Sequence, residues 1–217
     1  MKPKIDYTLY LVTDRELMSA ANIEECVERA IAGGCTVVQL REKNASSKEF
    51  YEMALRVRKI TSRMGVPLII NDRADIALAV DADGVHVGQD DLPYDAARSI
   101  IGNDKIVGLS ASNLEEALAA AGMGADYLGV GAMFATGTKT DASLTSIDEL
   151  KLIRAKVNIP IVVIGGINKE TVPLFSGTGI DGIAVVSAIV SQNDEIKAAQ
   201  ELKSLFQNVV KNESLYF

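Results

Sequence analysis

Residues 68–91 read Leu68-Ile69-Ile70-Asn71-Asp72-Arg73, then a short helical piece over 74–80, then Gly84-Val85-His86-Val87-Gly88-Gln89-Asp90-Asp91. An apolar run ends in polar residues, an amphipathic piece follows, and a second apolar run ends in polar residues again. Runs of continuous Val, Ile and Leu suit strands buried on both faces of a parallel sheet, with the helices as crossovers. Asp72 and Asp91 both stand just past strand ends, and in a parallel sheet those ends share one edge.

The same pattern extends outward in both directions, eight times in all. Thr13-Asp14-Arg15 closes the first apolar run and Gln39-Leu40-Arg41-Glu42-Lys43 the second. Beyond the central pair come Ser110, Thr136-Gly137-Thr138-Lys139, Gly165-Gly166 and Val186-Ser187. Strands are predicted over 8–12, 36–40, 68–70, 84–87, 106–109, 127–130, 161–164 and 182–186. Between them, helical spacing marks 23–32, the stretch carrying Phe50, Met53, Ala54, Val57, Ile60 and Met64, then 74–80 and 94–101. Ser112-Asn113-Leu114-Glu115 and Ser146-Ile147-Asp148-Glu149 match the capping box that opens a helix, and a last helix is predicted over 194–210. Eight such units predict an α/β fold, a single-domain TIM (β/α)8 barrel spanning 1–217. An open doubly wound sheet lacks its main support, a G-x-G-x-x-G after the first strand. In a barrel all eight strand ends converge on one mouth, where active sites are built.

The bulk properties are those expected of a soluble protein. Of 217 residues, 48% are hydrophobic and 24% charged, enough for a large core. A net charge of −7 without a long basic run argues against nucleic acid or anionic membrane as partner. The first six residues lack the apolar stretch of a signal peptide, and no apolar run is long enough to span a bilayer. Cys26 and Cys35 form no C-x-x-C pair and read as reduced core thiols of a cytoplasmic protein. The sequence leaves a homo-oligomer open.

Several strand-end residues carry chemistry. Asp72, Asp90 and Asp91 lie past adjacent strands about 5 Å apart, so their carboxylates can reach a common point. One or two carboxylates with waters and phosphate oxygens suit a hard cation such as Mg²⁺. Period-two alternation sends Gln39, Arg41 and Lys43 one way and Leu40 and Glu42 the other. Arg41, Lys43 and Lys139 are the cations that could neutralise a departing diphosphate. Glycines and hydroxyls beside Lys139 suit anion binding by backbone N–H groups, and the length of this sixth loop suits a lid over the mouth. Gly165-Gly166 and Val186-Ser187 occupy the usual monophosphate position of such barrels. His86, the only histidine, lies within a strand and could face the lumen or the outer helices. Met and aromatic residues read as core filler. No Ser–His–acid or Cys–His set is evident, which argues against covalent nucleophilic catalysis. The expectation is two phosphorylated substrates, one losing diphosphate to a group on the other.

The chain resembles the thiamine phosphate synthase family. The carrying motifs are Tyr10-Leu-Val-Thr-Asp14, Val38-Gln-Leu-Arg-Glu-Lys43, Asn71-Asp-Arg73 and Gly84 through Asp91. Gly108-Leu-Ser110, Gly129 through Lys139, Ile164-Gly-Gly-Ile167 and Val185-Val-Ser-Ala188 follow in family order. Ala132 and Ala135 stand where the family commonly has proline. The resemblance implies an Mg²⁺-dependent transferase joining hydroxymethylpyrimidine diphosphate to a thiazole phosphate, often its carboxylated form with loss of CO₂. Gln39, Leu40, Arg41, Glu42, Lys43, Asn71, Ser110 and Lys139 would then bind the pyrimidine diphosphate. Asp72 and Asp91 would hold the metal, and Thr136, Gly137, Thr138, Gly166, Val186 and Ser187 the thiazole phosphate. The family reaction is dissociative, so Arg41, Lys43, Ser110 and Lys139 would act without a general base. A thiazole tautomerase on a related barrel, or a non-catalytic sensor of phosphorylated ligands, would not need Asp72, Asp91, Arg41 and Lys139 together.

Overall fold

The computed structural model describes residues 2–135 and 144–213. Eight parallel strands close into a barrel in chain order: β1 (Leu9–Val12), β2 (Val37–Leu40), β3 (Leu68–Asn71), β4 (Gly84–Val87), β5 (Ile106–Ala111), β6 (Tyr127–Val130), β7 (Ile161–Val163) and β8 (Gly182–Val185). The last strand meets the first, with Leu9 beside Ile183. The helices are α1 (Ile23–Ala32), α2 (Ser47–Met64), α3 (Ala74–Ala79), α4 (Tyr94–Ile101), α5 (Leu114–Met123), α6 (Ile147–Lys156), α7 (Ser187–Val190) and α8 (Glu195–Glu213).

Parity along each strand divides the buried residues into two clusters. Leu9 and Leu11, Val38 and Leu40, and Leu68 and Ile70 pack outward against the helices. Tyr10, Val12, Val37, Ile69, Ile106, Tyr127, Val162 and Ala184 form a separate inner cluster that fills the barrel. The barrel is therefore a packed core rather than a pore. Cys26 and Cys35 are buried and unbonded to each other, and burial pushes both thiols up, Cys26 to about 12.

The regular alternation fails once. After β7 the chain makes only a single 3-10 turn, Val172–Phe175, before β8. Pro173 fits its first turn, and Gly177 and Gly179 follow with φ of 75° and 69°, conformations that end rather than extend a helix.

One helix start also differs from the sequence reading. The fifth helix is capped by Asn113, whose side chain accepts from Glu116 N, so the predicted Ser112 box is displaced by one residue. Ser112 instead donates through N and Oγ to the Glu116 carboxylate. Ser146 caps α6 as expected, accepting from Glu149 N. The Glu149 carboxylate turns to the neighbouring helix, where it accepts from Leu114 N at 2.7 Å. One residue thus secures the start of two helices, because a first-turn amide left bare would be costly.

A repeat at the amino ends of the strands is not evident in the sequence motifs. Asp83, just before β4, accepts from Leu68 N at the start of β3 and pairs with Arg58 of α2. Asp126, just before β6, accepts from Val107 N in β5 and pairs with Arg98 of α4. Asp181, just before β8, accepts from Ile161 N in β7 and pairs with Arg154 of α6. Thr36 takes the matching place before β2, its hydroxyl accepting from Leu9 N and donating to Leu9 O. The barrel floor is thus fastened strand pair by strand pair, at the end opposite the mouth.

Candidate active site

The carboxyl ends of β2, β3 and β4 bring the predicted charged residues together. Asp72 directly follows β3 with φ 62°, a left-handed conformation that Asp tolerates better than most residues. Its N–H donates to His86 O at 2.8 Å, which fixes the turn against β4. Asp91 is oriented by Gly88 N, which donates to its Oδ2 at 2.8 Å. The Asp91 carboxylate stands near enough to bear on the charge of Asp72. Burial raises the Asp72 carboxyl above its ordinary range and Asp91 adds repulsion, while Lys43 opposes both. Lys43 Nζ donates to Asp72 Oδ2 at 2.7 Å.

The other residues of the second strand end divide their roles. Gln39 lies inside the barrel, its amide donating to the Tyr10 hydroxyl at 2.8 Å. Leu40 is fully buried in the outer layer, which leaves its backbone as the group it can offer at the mouth. Arg41 turns to the end of β1: its N–H donates to Thr13 Oγ1 and its guanidinium meets Asp14 Oδ2 at 3.1 Å. Glu42 is held by Arg15 at 2.8 Å. Arg41 therefore stands on the same rim as the aspartate pair, with Asp14 as its partner in this structure. Asn71, 9% exposed, lies beside His86 in the register of β3 and β4.

His86 faces the lumen. Its half-buried ring sits between two hydroxyls, Tyr127 Oη at 2.9 Å from Nδ1 and Ser110 Oγ at 3.0 Å from Nε2. Burial lowers its pKa from 6.5 to about 4, against a small opposing pull from Asp91. Its proton affinity in the fold is therefore below that in the unfolded chain. The resulting contribution to stability is whole above pH 6.5 and is lost as pH falls from 6.5 towards 4. One proton gives a slope of at most about 1.4 kcal/mol per pH unit in that window. Urea unfolding of the wild type and His86→Asn between pH 7 and 4 should show this extra slope in the wild type alone. Equal slopes in the two proteins would remove the assignment.

On the opposite side of the mouth, Gly165 and Gly166 follow β7 with φ of 96° and 66°. A Cβ on Gly165 would lie 2.7 Å from Ala132 Cα, and one on Gly166 would lie 2.7 Å from Phe134 Cβ. The glycine pair thus lets this turn sit directly on the base of the sixth loop, where Met133 N donates to Ile164 O and Phe134 N to Gly165 O. Ser187 is the exposed first residue of α7, directly after Val186 at the end of β8. Thr136, Gly137, Thr138 and Lys139 lie outside the described residues.

Two inner residues read as filler in the sequence carry polar contacts. Tyr10 and Tyr127 are almost fully buried, and their hydroxyls meet at 2.7 Å. Strand parity was the available signal, since it places both on the inner face with Gln39 and His86.

As for a metal, no group of three or more acidic, His or Cys side chains suited to one occurs among the described residues. The Asp72 and Asp91 pair nevertheless fits a hard cation: two converging oxygen ligands whose mutual repulsion a divalent charge would relieve.

A family model described as thiamine monophosphate synthase matches residues 9–189. Thiamine-phosphate synthase of Clostridium beijerinckii is 63% identical over 206 residues, covering 95% of this chain and 99% of that protein. The Clostridium botulinum protein of the same name is 61% identical over 209 residues, covering 96% and 98%. Among solved structures, thiamine phosphate pyrophosphorylase from Pyrococcus furiosus superposes with a TM-score of 0.87 at 42% identity, covering 94% of this chain and 98% of that one.

Proposed function

This chain belongs to the thiamine-phosphate synthase family and is a transferase, and from that premise we propose how its mouth performs the reaction. Hydroxymethylpyrimidine diphosphate and a thiazole phosphate are the substrates, and thiamine phosphate and diphosphate the products. The observation that carries the reading is the convergence of Lys43, Asp72 and Asp91 beside Ser110 and His86 at the ends of β2 to β5.

The C–O bond between the pyrimidine methylene and the diphosphate breaks first, its electron pair leaving on the diphosphate oxygen. The thiazole nitrogen then gives its lone pair to the methylene carbon. Lys43 and Arg41, with Lys139 of the sixth loop, hold and neutralise the departing diphosphate. Gln39, Asn71 and Ser110 orient the pyrimidine, and the strand-end backbone at Leu40 and Glu42 borders it. Thr136, Gly137, Thr138, Gly166, Val186 and Ser187 hold the thiazole phosphate, which keeps the two reactants in one cup. Asp72 and Asp91 would hold Mg²⁺, which when bound supplies positive charge to the diphosphate oxygens. Bond formation needs no general base, because the thiazole nitrogen attacks with its own lone pair. We propose the barrel of 1–217 as one catalytic domain acting on small molecules in the cytoplasm. No described helix is long and apolar enough to cross a membrane.

The deciding assay mixes the two phosphorylated substrates with Mg²⁺ and follows diphosphate release together with thiamine phosphate. Both products should form in equal amounts. Ligand binding without either product would favour a sensor, and thiazole isomerisation without diphosphate release would favour a tautomerase.

A further inference from the structure

A continuous chain of hydrogen bonds crosses the barrel interior. Gln39 Nε2 lies 2.8 Å from Tyr10 Oη, which is 2.7 Å from Tyr127 Oη. Tyr127 Oη is 2.9 Å from His86 Nδ1, and His86 Nε2 is 3.0 Å from Ser110 Oγ. Two glycines make room for the rings: a Cβ on Gly129 would lie 2.9 Å from His86 Cε1, and one on Gly108 would run into the Tyr127 ring. We infer that this chain has one fixed polarity, which makes the Ser110 hydroxyl a hydrogen-bond donor to an acceptor atom of the pyrimidine diphosphate, with Tyr10, Tyr127 and His86 as positioning residues.

A phenol has one proton to donate. Tyr10 Oη meets the Gln39 amide, a donor, and Tyr127 Oη, so Tyr127 is the acceptor open to the buried Tyr10 proton. The Tyr127 proton then goes to His86 Nδ1, which must be the unprotonated nitrogen. A neutral imidazole carries its one proton on the other nitrogen, so Nε2–H donates to Ser110 Oγ. The Ser110 proton has no part in the chain and points to what lies in the mouth. The surroundings favour this direction over the reverse. A Cβ on Gly88 would lie 3.0 Å from Asp91 Oδ2 and 4.0 Å from Ser110 Oγ. The Asp91 carboxylate and the Ser110 hydroxyl thus face the same side of Gly88, and a dipole whose positive end points toward a negative charge is favoured. Holding a half-buried hydroxyl in one sense before the substrate arrives removes a reorganisation step from binding and chemistry.

The inference rests on the synthase reading for the identity of the acceptor, but the polarity can be read without turnover. His86 is the only histidine, so histidine-selective ¹⁵N labelling reports a single ring. A two-bond ¹H–¹⁵N correlation at pH 7 should show a protonated Nε2 and an unprotonated Nδ1. A ring protonated on Nδ1 reverses every donor in the chain and overturns the inference. Tyr127→Phe keeps the ring and removes the donor to Nδ1. It should mix the two tautomers and lower kcat about tenfold, the worth of one hydrogen bond, with KM for the thiazole phosphate unchanged. A wild-type kcat with an undisturbed Nε2–H pattern in that variant would end the positioning role. If Tyr127→Phe does not fold, the wild-type spectrum alone still decides the polarity. An Nε2–H ring in a protein that makes no thiamine phosphate would overturn the proposed reaction and leave the polarity standing.

Discussion

Asp72→Asn should lower kcat about 100-fold while the protein unfolds at nearly the wild-type temperature. The substitution keeps the shape of the side chain and suits φ 62°, because Asn also tolerates the left-handed region. The backbone bond from residue 72 N to His86 O is retained. What is lost is one of two facing negative charges and the anionic partner of Lys43. Removing one preorganised electrostatic contact typically lowers a rate about 100-fold or more, roughly 3 kcal/mol. Steady-state kinetics over a range of Mg²⁺ should show half-activation shifted to higher Mg²⁺ along with the lower kcat, and a thermal melt should be almost unmoved. Asp72→Ala is the less clean variant, since alanine in this conformation adds about 1 kcal/mol of strain. Near-normal turnover of Asp72→Asn with Mg²⁺ removed would defeat the metal-and-cation account.

Gly108→Ala should cost about 3 kcal/mol of stability through overpacking. Its Cβ would collide with ring carbons of Tyr127 and lie 2.6 Å from the hydroxyl. Tyr127 has little room to retreat, because its hydroxyl is held between Tyr10 and His86 and its ring packs 4.9 Å from that of Tyr7. Any shift of the ring strains both hydrogen bonds. Gly122→Ala is the matched control: it lies in α5 with nothing within 4 Å of an added Cβ, and alanine favours a helix. Urea midpoints should fall clearly for Gly108→Ala and stay level or rise for Gly122→Ala. A neutral Gly108→Ala would show that the inner cluster has slack that the distances do not.

The strands and the mouth were legible because continuous apolar runs and polar ends are both local in sequence. The meeting of Lys43 with Asp72 follows from the alternation of Gln39, Arg41 and Lys43 together with the next strand end. Side-chain partners were harder to read. Nothing adjacent to Arg41 indicates that Asp14, on the other neighbouring strand, would hold it. Tyr10 and Tyr127 have the composition of core residues, and only a neighbour across the lumen reveals them as polar links. The Ser112 box failed by one residue because Asn113 is also a strong cap and Glu116 satisfies Ser112 from the first turn. The single 3-10 turn after β7 reflects Pro173, Gly177 and Gly179, which stop a longer helix from forming.

The clasps at the bottom of the molecule bear on how the protein comes into being. Each joins groups only 15 to 27 residues apart, Leu68 with Asp83, Val107 with Asp126, Ile161 with Asp181 and Leu9 with Thr36. Short loops lose little entropy on closing, so contacts of this range form early. As the nascent chain leaves the ribosome, each two-strand unit can lock its own base before the next has been synthesised. The seam between β8 and β1 joins the strands furthest apart in sequence and can close only after the last strand has been made.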